Sequence, residues 1–381
     1  MWKGVLFLEV YLGLDMNRRL HLTVILLLVS ALPVHARTVN DSLGRTVSIP
    51  DKVTRVICSG SGCLRLLTYL EAQDMVIAAD DIEGRRSRFD ARPYSIAYPQ
   101  FKELPVFGQF RGHDNPELIL SLDPQPEVIF KTYGVSMGYA PEKLQEKTGI
   151  PVIALNYGNL GEHRSQLFDS LKLIGEILGR ESRAAEVVSF FNAAISDLKK
   201  RSSSPASDIR PSVYLGGVAF KGPHGFQSTE PAYPPFLFLN VKNLAGEGRE
   251  NLKELSYSIV SKEKIIEWDP EYIFLDLATL QLGNRGGGLF ELRSDSAYRT
   301  LTAVQEGKVF GVLPYNWYAR NFGSILANGY YIGKLLYPER FNDIEPKEKA
   351  DRIYTFLVGR PVFQGLNERY QKMAFAPVSV R

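Results

Sequence analysis

Few cysteines and little net charge are the first features of this chain. Among its 381 residues only Cys58 and Cys63 carry thiols, and the formal net charge is +3. Two cysteines with no others nearby make a poor zinc site, and scattered basic residues are not the electrostatic footprint of a nucleic-acid binder. The sequence also lacks a P-loop, an H-E-x-x-H pair and a complete G-x-G-x-x-G motif. These absences exclude the most easily recognised nucleotide and metalloprotease sites.

The N-terminus has the pattern of a secretory signal. Arg18 and Arg19 precede an apolar core at 20–32, and a small-residue ending at Ala36 suits cleavage. This core is shorter than a membrane span, although an uncleaved anchor helix is the alternative. We take Met16 as the true start, because Asp15 and a second apolar patch precede the basic residues. No cysteine follows the cleavage site to carry a lipid, so we expect a soluble periplasmic protein.

An oxidising compartment would allow Cys58 and Cys63 to pair. The two residues flank a tight turn between a predicted strand and a predicted helix, which makes the bridge geometry demanding. The disulfide therefore stays an open question at the level of sequence.

Two distant segments, 114–130 and 260–276, follow one plan. In each, a glutamate (Glu117, Glu263) opens a short helical pattern, an Asp-Pro pair follows six residues later, and an apolar run ends the unit. Proline disfavours helix at the residue before it, and continuous apolar runs are typical of parallel strands buried on both faces. A unit used twice at this separation predicts two similar α/β lobes with a cleft between them.

The predicted fold class is α/β, with two Rossmann-like lobes joined by a single long helix and a ligand cleft between the lobes. We expect a signal peptide at 1–36, an N-terminal lobe at 37–164 and a C-terminal lobe at 202–343. Residues 165–201 have helical spacing with few breakers and predict the linking helix, which could bend near Gly179. Residues 344–381 predict a helical extension.

With these units placed, the chain resembles the class III periplasmic substrate-binding proteins of ABC importers for ferric siderophores, haem and cobalamin. The resemblance covers 39–340 and rests on Asp41-Ser42-Leu43-Gly44-Arg45, on the two repeated units and on segment 301–310. Segments 216–236 and 314–321 are closer to a less familiar branch labelled iron-complex transport. The identity of the ligand is therefore not inherited from the better-known members.

The resemblance implies that two lobes close slightly around an iron-siderophore or related metal chelate and deliver it to an inner-membrane ABC permease. Glu117 and Glu263 are the positions that match the glutamates by which this family docks into arginine pockets of the permease. Carboxylates at helix N-termini are also favoured by the helix dipole. We expect no enzymatic activity, no cofactor and no nucleic-acid partner.

Ligands of open α/β sheets bind beyond the carboxyl ends of the strands, so the residues that follow predicted strands are the candidates. Cations and aromatic side chains among them suit a bulky anionic chelate, although a core or loop role is the plainer reading of each one. The candidates are Ser59, Ser61, Arg85, Arg86, Tyr133, Lys221, His224, Phe226, Tyr315, Trp317, Tyr318 and Arg320.

Two other functions compete with this one. Direct binding of zinc, manganese or nickel could use His113, His163 and His224 with Asp276, although no two of these histidines have ligand spacing. A secreted serine hydrolase could use Ser136 in Gly134-Val135-Ser136-Met137-Gly138. The hydrolase hypothesis is weak, because no helix pattern starts directly after the serine and because no histidine follows His224, whereas the triad order needs an acid and then a late histidine.

Overall fold

Strands and helices alternate throughout the computed structural model, which describes residues 36–85, 87–133, 138–203, 210–248 and 257–380. Residues 1–35 of the predicted signal peptide and the candidates Arg86 and Ser136 lie outside these ranges. None of the helices within them is both long and apolar enough to cross a membrane.

The N-terminal lobe is built on a six-stranded sheet beside a short antiparallel hairpin. The hairpin strands are β1 (Ala36–Asn40) and β2 (Thr46–Pro50). The sheet contains β3 (Val56–Ser59), β4 (Val76–Asp80), β5 (Val106–Gln109), β6 (His113–Asp114), β7 (Val128–Tyr133) and β8 (Val152–Asn156). Its order is β6-β5-β4-β3-β7-β8, parallel except for β6. The helices are α1 (Cys63–Tyr69), α2 (Pro93–Ala97), α3 (Pro116–Leu120), α4 (Pro141–Thr148) and α5 (Arg164–Leu178).

The link between the lobes differs from the single helix predicted at 165–201. Helix α5 ends at Leu178, and Gly179 closes it in the left-handed conformation (φ 65°) that glycine adopts without steric cost. Helix α6 (Glu181–Ser202) then runs for 22 residues, about 33 Å. Because α5 packs against β8 and α6, α5 belongs to the N-terminal lobe and α6 leads on to the C-terminal lobe. The bend foreseen at Gly179 is a complete break.

The C-terminal lobe has a smaller parallel sheet. The strands of this lobe are β9 (Ser212–Gly216), β10 (Ser228–Thr229), β11 (Lys242–Asn243), β12 (Ser258–Ile259), β13 (Tyr272–Asp276) and β14 (Val309–Val312). The main sheet has the order β11-β9-β13-β14, and β10 pairs with β12. The helices are α7 (Pro234–Leu239), α8 (Lys262–Trp268), α9 (Gly288–Ser294), α10 (Thr302–Gln305) and α11 (Phe322–Leu336).

The repeated unit of the sequence forms the same structure in both lobes. Helix α3 leads through Asp123-Pro124 into β7, and α8 leads through Asp269-Pro270 into β13. A side chain caps each helix, since Asn115 accepts from the amides of residues 117 and 118 and Ser261 accepts from that of residue 264. This capping satisfies amides that have no partner within the helix. The predicted two-lobed α/β architecture is confirmed.

The C-terminal extension contacts both lobes. It contains α12 (Pro346–Val358), which packs on α11, α1 and α2, and α13 (Phe363–Arg369). Beyond α13, the amide of Val378 donates to the carbonyl of Val309 on β14 (2.8 Å). The Tyr370 hydroxyl donates to the carbonyl of Phe89 in the N-terminal lobe (2.5 Å). The extension therefore covers an edge of one lobe and ties it to the other.

The disulfide left open by the sequence is present in the structure. Cys58 and Cys63 are bonded across the turn from β3 to α1, with their Cα atoms 5.4 Å apart, a separation within the usual range.

Candidate solute-binding cleft

The lobes meet where the carboxyl ends of their strands face each other. Residues 313–320, here called the cleft loop, follow β14 and lead to Asn321, the N-cap of α11. The cleft loop contacts residues that end or follow β4, β5 and β8 of the N-terminal lobe. This is the place at which open α/β sheets bind ligands.

A buried arginine of the N-terminal lobe holds the cleft loop by its backbone. The guanidinium of Arg65 on α1 donates to the carbonyls of Arg320 (2.9 Å), Tyr318 (3.2 Å) and Trp317 (3.4 Å). The hydroxyl of Tyr157, which follows β8, also donates to the carbonyl of Arg320 (2.7 Å). Guanidinium groups are planar forks with five donors, so one side chain can satisfy several carbonyls. These bonds fix the direction in which the loop presents its own side chains.

Tyr318 reaches from the cleft loop into the N-terminal lobe. Its hydroxyl donates to the carboxylate of Asp80 and accepts from the amide of Arg111 (3.1 Å). Burial raises the pKa of Asp80 to about 7, while the hydrogen bond from Tyr318 acts in the opposite direction. The ring of Tyr318 lies 6.5 Å from that of Phe110. The loop thus places an aromatic ring beside an acid at the end of β4.

Arginines from both lobes line this region. The Phe110 ring lies 5.2 Å from the guanidinium of Arg111 and 5.9 Å from that of Arg85, distances typical of cation–π contacts. Arg85 also pairs with Asp81. Among the described residues, neither Arg111 nor Arg320 forms an ion pair with a carboxylate. Two half-buried cations, one from each lobe, are therefore available to an anion.

Beneath Arg320 the C-terminal lobe contains a buried acid. The hydroxyl of Tyr315 donates to the carboxyl of Glu230 (2.5 Å). Burial raises the pKa of Glu230 to about 7, and the Tyr315 hydrogen bond and the charge of Arg320 both lower it. Burial likewise raises the pKa of Asp276, the last residue of β13, to about 7. The negative charge available to balance Arg320 is therefore reduced near neutral pH.

The structure brings together only part of the predicted site. Trp317, Tyr318 and Arg320 lie in the cleft loop, and Arg85 lies across from it on the Phe110 ring. Tyr315 is in the same loop but is buried against Glu230. Tyr133 is exposed at the end of β7. In the C-terminal lobe, Lys221 is exposed beside the Phe220 ring, and the ring nitrogen Nε2 of His224 lies 2.8 Å from the carbonyl oxygen of Phe220.

Burial of Ser59, Ser61 and Phe226 disfavours their predicted role in ligand binding. Ser59 donates to Asp114 (2.5 Å) and accepts from Lys131 (3.0 Å), which itself pairs with Asp114 (2.5 Å). Ser61 is also buried. Phe226 is a core residue, because its ring packs on Tyr214 at 5.3 Å. The side chains of the two serines and Phe226 are thus enclosed within the lobes in this structure.

Sequence reasoning missed the residues that organise the cleft. Asp80 ends β4 and Tyr157 follows β8, so a search of strand ends could have found them. Arg111 follows β5, a strand that was not predicted. Arg65 is on the short helix α1, all of whose residues are buried, and no local pattern indicates its role.

The proposed histidine ligands do not come together as a metal site. His113 is on β6, His163 is the N-cap of α5, and His224 is in the loop after β9. In the described part of the chain, no group of three or more His, Cys, Asp or Glu side chains could hold a metal ion. The direct-metal alternative thus has no ligand set there.

Comparison with known proteins identifies the family. A model described as periplasmic binding protein matches residues 87–314, more than half of the chain. The chain belongs to this family of periplasmic binding proteins. Members bind solutes for ABC importers, deliver them to ABC permeases and are not enzymes. The prediction that this chain is not an enzyme is confirmed, and the serine-hydrolase hypothesis is withdrawn.

Individual relatives are distant. The molybdate-binding protein MolA of Haemophilus influenzae is 23% identical, over 84% of this chain and 90% of that protein. The structure of MolA bound to molybdate superposes with a TM-score of 0.63 at 20% identity, covering 85% of this chain and 98% of that one. An iron-uptake system-binding protein of Bacillus subtilis is 21% identical, over 57% of this chain and 65% of that protein.

A third relative is a structure of the TroA-like periplasmic binding protein FepB from Veillonella parvula. It has a TM-score of 0.60 at 20% identity and covers 85% of this chain and 96% of that one. The structural likenesses confirm the fold and leave the ligand open.

The buried acid predicts a pH dependence of stability. The pKa of Glu230 is about 7 in the folded protein against an ordinary value of 4.5, so between these values the folded state binds the proton that the unfolded state has lost. The contribution of Glu230 to the free energy of unfolding therefore falls by about 1.4 kcal/mol per pH unit as pH rises through this window. Glu230→Gln removes this loss. In urea unfolding, the free energy of unfolding of the variant relative to that of wild type should rise by about 2 kcal/mol between pH 5 and pH 8.

Tyr315→Phe is the opposing control for this prediction. It removes the hydrogen bond that lowers the pKa of Glu230, so the pKa should rise further and the loss of stability should extend to higher pH. A difference between Glu230→Gln and wild type that stays constant with pH would contradict the assignment.

Proposed function

We propose that this protein captures an anionic metal compound, an iron-siderophore or related metal chelate, between arginines of its two lobes and presents it to an ABC permease. The observation that carries the proposal is the pair Arg111 and Arg320, which form no ion pair with a described carboxylate and come from opposite lobes, each bonded through its backbone where the lobes meet. Half-buried guanidinium groups gain most from an anion that satisfies several donors at once.

Aromatic rings beside these cations favour a bulky chelate. Phe110 and Tyr318 pack together between the lobes, and Trp317 is in the same loop. Such rings supply apolar contact area, and their faces attract cationic side chains that in turn bind the solute. A mixture of a few polar groups and aromatic rings is typical of small-molecule sites.

A metal oxyanion is the second candidate, and the similarity to a molybdate-binding protein over most of the chain supports it. An oxyanion needs several well-directed donors and little apolar area. Arg111 and Arg320 would serve this solute as well as a chelate. Direct capture of a free divalent cation is disfavoured, because unpaired arginines repel it.

The test is a thermal-shift panel on the mature protein from Arg37. Ferric siderophores of several chemical types, haem, cobalamin, molybdate, tungstate and free zinc, manganese and nickel would be compared. A solute at about a hundred times its dissociation constant stabilises the fold by about 2.7 kcal/mol, an easily measured shift. Arg320→Gln should weaken binding of the active solute about tenfold or more, since it removes a charge-assisted contact of over 1 kcal/mol.

Arg299→Gln is the matched control, because Arg299 is an exposed arginine of the same lobe on a short 3-10 turn. It should leave the affinity unchanged. A shift given only by free divalent metal, and kept in Arg320→Gln, would contradict the proposal.

The permease, we propose, docks on Glu117 and Glu263. Both glutamates are exposed in the first turn of equivalent helices, α3 and α8. Within the described residues neither forms an ion pair, so both carboxylates are free to meet basic residues of a partner. Their occurrence once per lobe suits a partner that spans the two lobes.

Replacing both glutamates should separate delivery from capture. Glu117→Ala with Glu263→Ala should abolish uptake of the solute identified by the panel while its affinity stays nearly unchanged, because neither carboxylate is in the cleft. The control pair Glu162→Ala with Glu345→Ala removes two other exposed carboxylates. An equal loss of solute affinity would place the docking glutamates in the binding site and refute this assignment.

A further inference from the structure

We infer that a groove beside Glu117 binds an apolar segment of the permease that carries a basic residue, an inference that rests on the proposed delivery to a permease. The groove, here called the α3 groove, has a volume of about 600 Å³ on the N-terminal lobe. Its lining includes Val106, Glu117, Leu118, Leu120, Tyr139 and Lys147.

Apolar exposure is concentrated at this groove. The described residues include ten exposed large hydrophobic side chains, and four of them line it: Val106 at 47%, Leu118 at 42%, Leu120 at 42% and Tyr139 at 39% exposure. Single exposed hydrophobic residues are ordinary on protein surfaces. A cluster of them beside a charged residue is typical of a surface that another protein covers.

Folding of the lobe does not account for these leucines. In α3 only Ile119 is buried, so this one side chain anchors the short helix to the lobe. Leu118 and Leu120, by contrast, are both exposed. If this surface faced only solvent, polar residues could stand at positions 118 and 120 without loss of packing within the lobe.

The charges at the α3 groove favour a basic partner. Its acids are Asp81, Asp114 and Glu117; Asp81 pairs with Arg85, and Asp114 pairs with the buried Lys131. Glu117 therefore supplies the negative charge that is free to act outside the protein. The one lysine of the lining, Lys147, lies over the Tyr139 ring, with its ammonium nitrogen 5.3 Å from the ring centre.

The equivalent surface of the other lobe is different. Glu263 is flanked by Lys262, which pairs with Asp295 (2.9 Å), and by Lys264, which pairs with Glu267 (2.7 Å). Ile259, at 66% exposure, is the nearest exposed large hydrophobic residue along the chain. Two equivalent glutamates do not by themselves specify the orientation in which the two lobes dock on a permease. An apolar groove at only one of them would fix the orientation of docking.

The experiment places the photoreactive amino acid p-benzoylphenylalanine at position 118, 237 or 259 of the full chain, expressed in its native periplasm. Leu237 is the matched control, because it is a leucine of equal exposure (43%) on α7 of the other lobe. Position 118 should give a covalent adduct with the transmembrane subunit of an ABC permease, identified by mass spectrometry. Position 237 should give none, and Glu117→Ala should reduce the adduct at 118 several-fold.

Two results would overturn the inference. One is a yield of adduct with the permease subunit that is as high from position 237 as from position 118. The other is the absence of that adduct from position 118, whatever position 259 gives. As a second measurement, Leu118→Ser with Leu120→Ser should lower the adduct yield from 259 about fivefold or more, whereas Leu237→Ser should not.

The outcome is separable from that of the proposed function. Adduct formation needs no knowledge of the solute, while solute binding is measured by thermal shift on the purified Leu118→Ser, Leu120→Ser protein. Unchanged solute binding with lost adducts assigns the groove to docking. Adduct formation by a protein that binds no anionic solute would leave the groove standing and remove the proposed ligand class.

Discussion

The contact of the Arg65 guanidinium with the backbone of the opposite lobe is the interaction on which the cleft depends. One buried side chain satisfies carbonyls at positions 317, 318 and 320, so the cleft loop has one preferred course. Hydrogen bonds from a charged group are about twice as strong as neutral ones. Because the loop is held by its backbone, its side chains are free to make other contacts: Tyr318 bonds to Asp80 of the N-terminal lobe, and Arg320 forms no ion pair with a described carboxylate.

Around this contact, the structure limits how far the lobes can separate. Helix α6 runs unbroken for 22 residues between them, and the C-terminal extension packs on both lobes. Rigid connections favour a small closing movement over a wide hinge. A small closure suits a site in which both walls are already charged, because bringing the two arginines together costs repulsion that only an anion relieves.

The sequence was most informative where local signals and burial agree. The two repeated units form equivalent helix–strand pairs, α3 with β7 and α8 with β13, and an Asp-Pro pair lies between helix and strand in each. It was least informative where a residue acts over a long distance in the chain. Arg65 meets its partners over 250 residues away, and Ser59 turns into a buried ion pair formed by Asp114 and Lys131. Neither contact can be predicted from local periodicity. The sequence indicated a bend near Gly179, but not that the helix ends there.

The most direct test of the account is X-ray diffraction from crystals of the mature protein with the active solute, recorded at the absorption edge of its metal. We predict one anomalous peak in the cleft, with the metal compound in contact with the guanidinium groups of Arg111 and Arg320. A peak at His113, His163 or His224, or a bound solute that touches neither arginine, would contradict it.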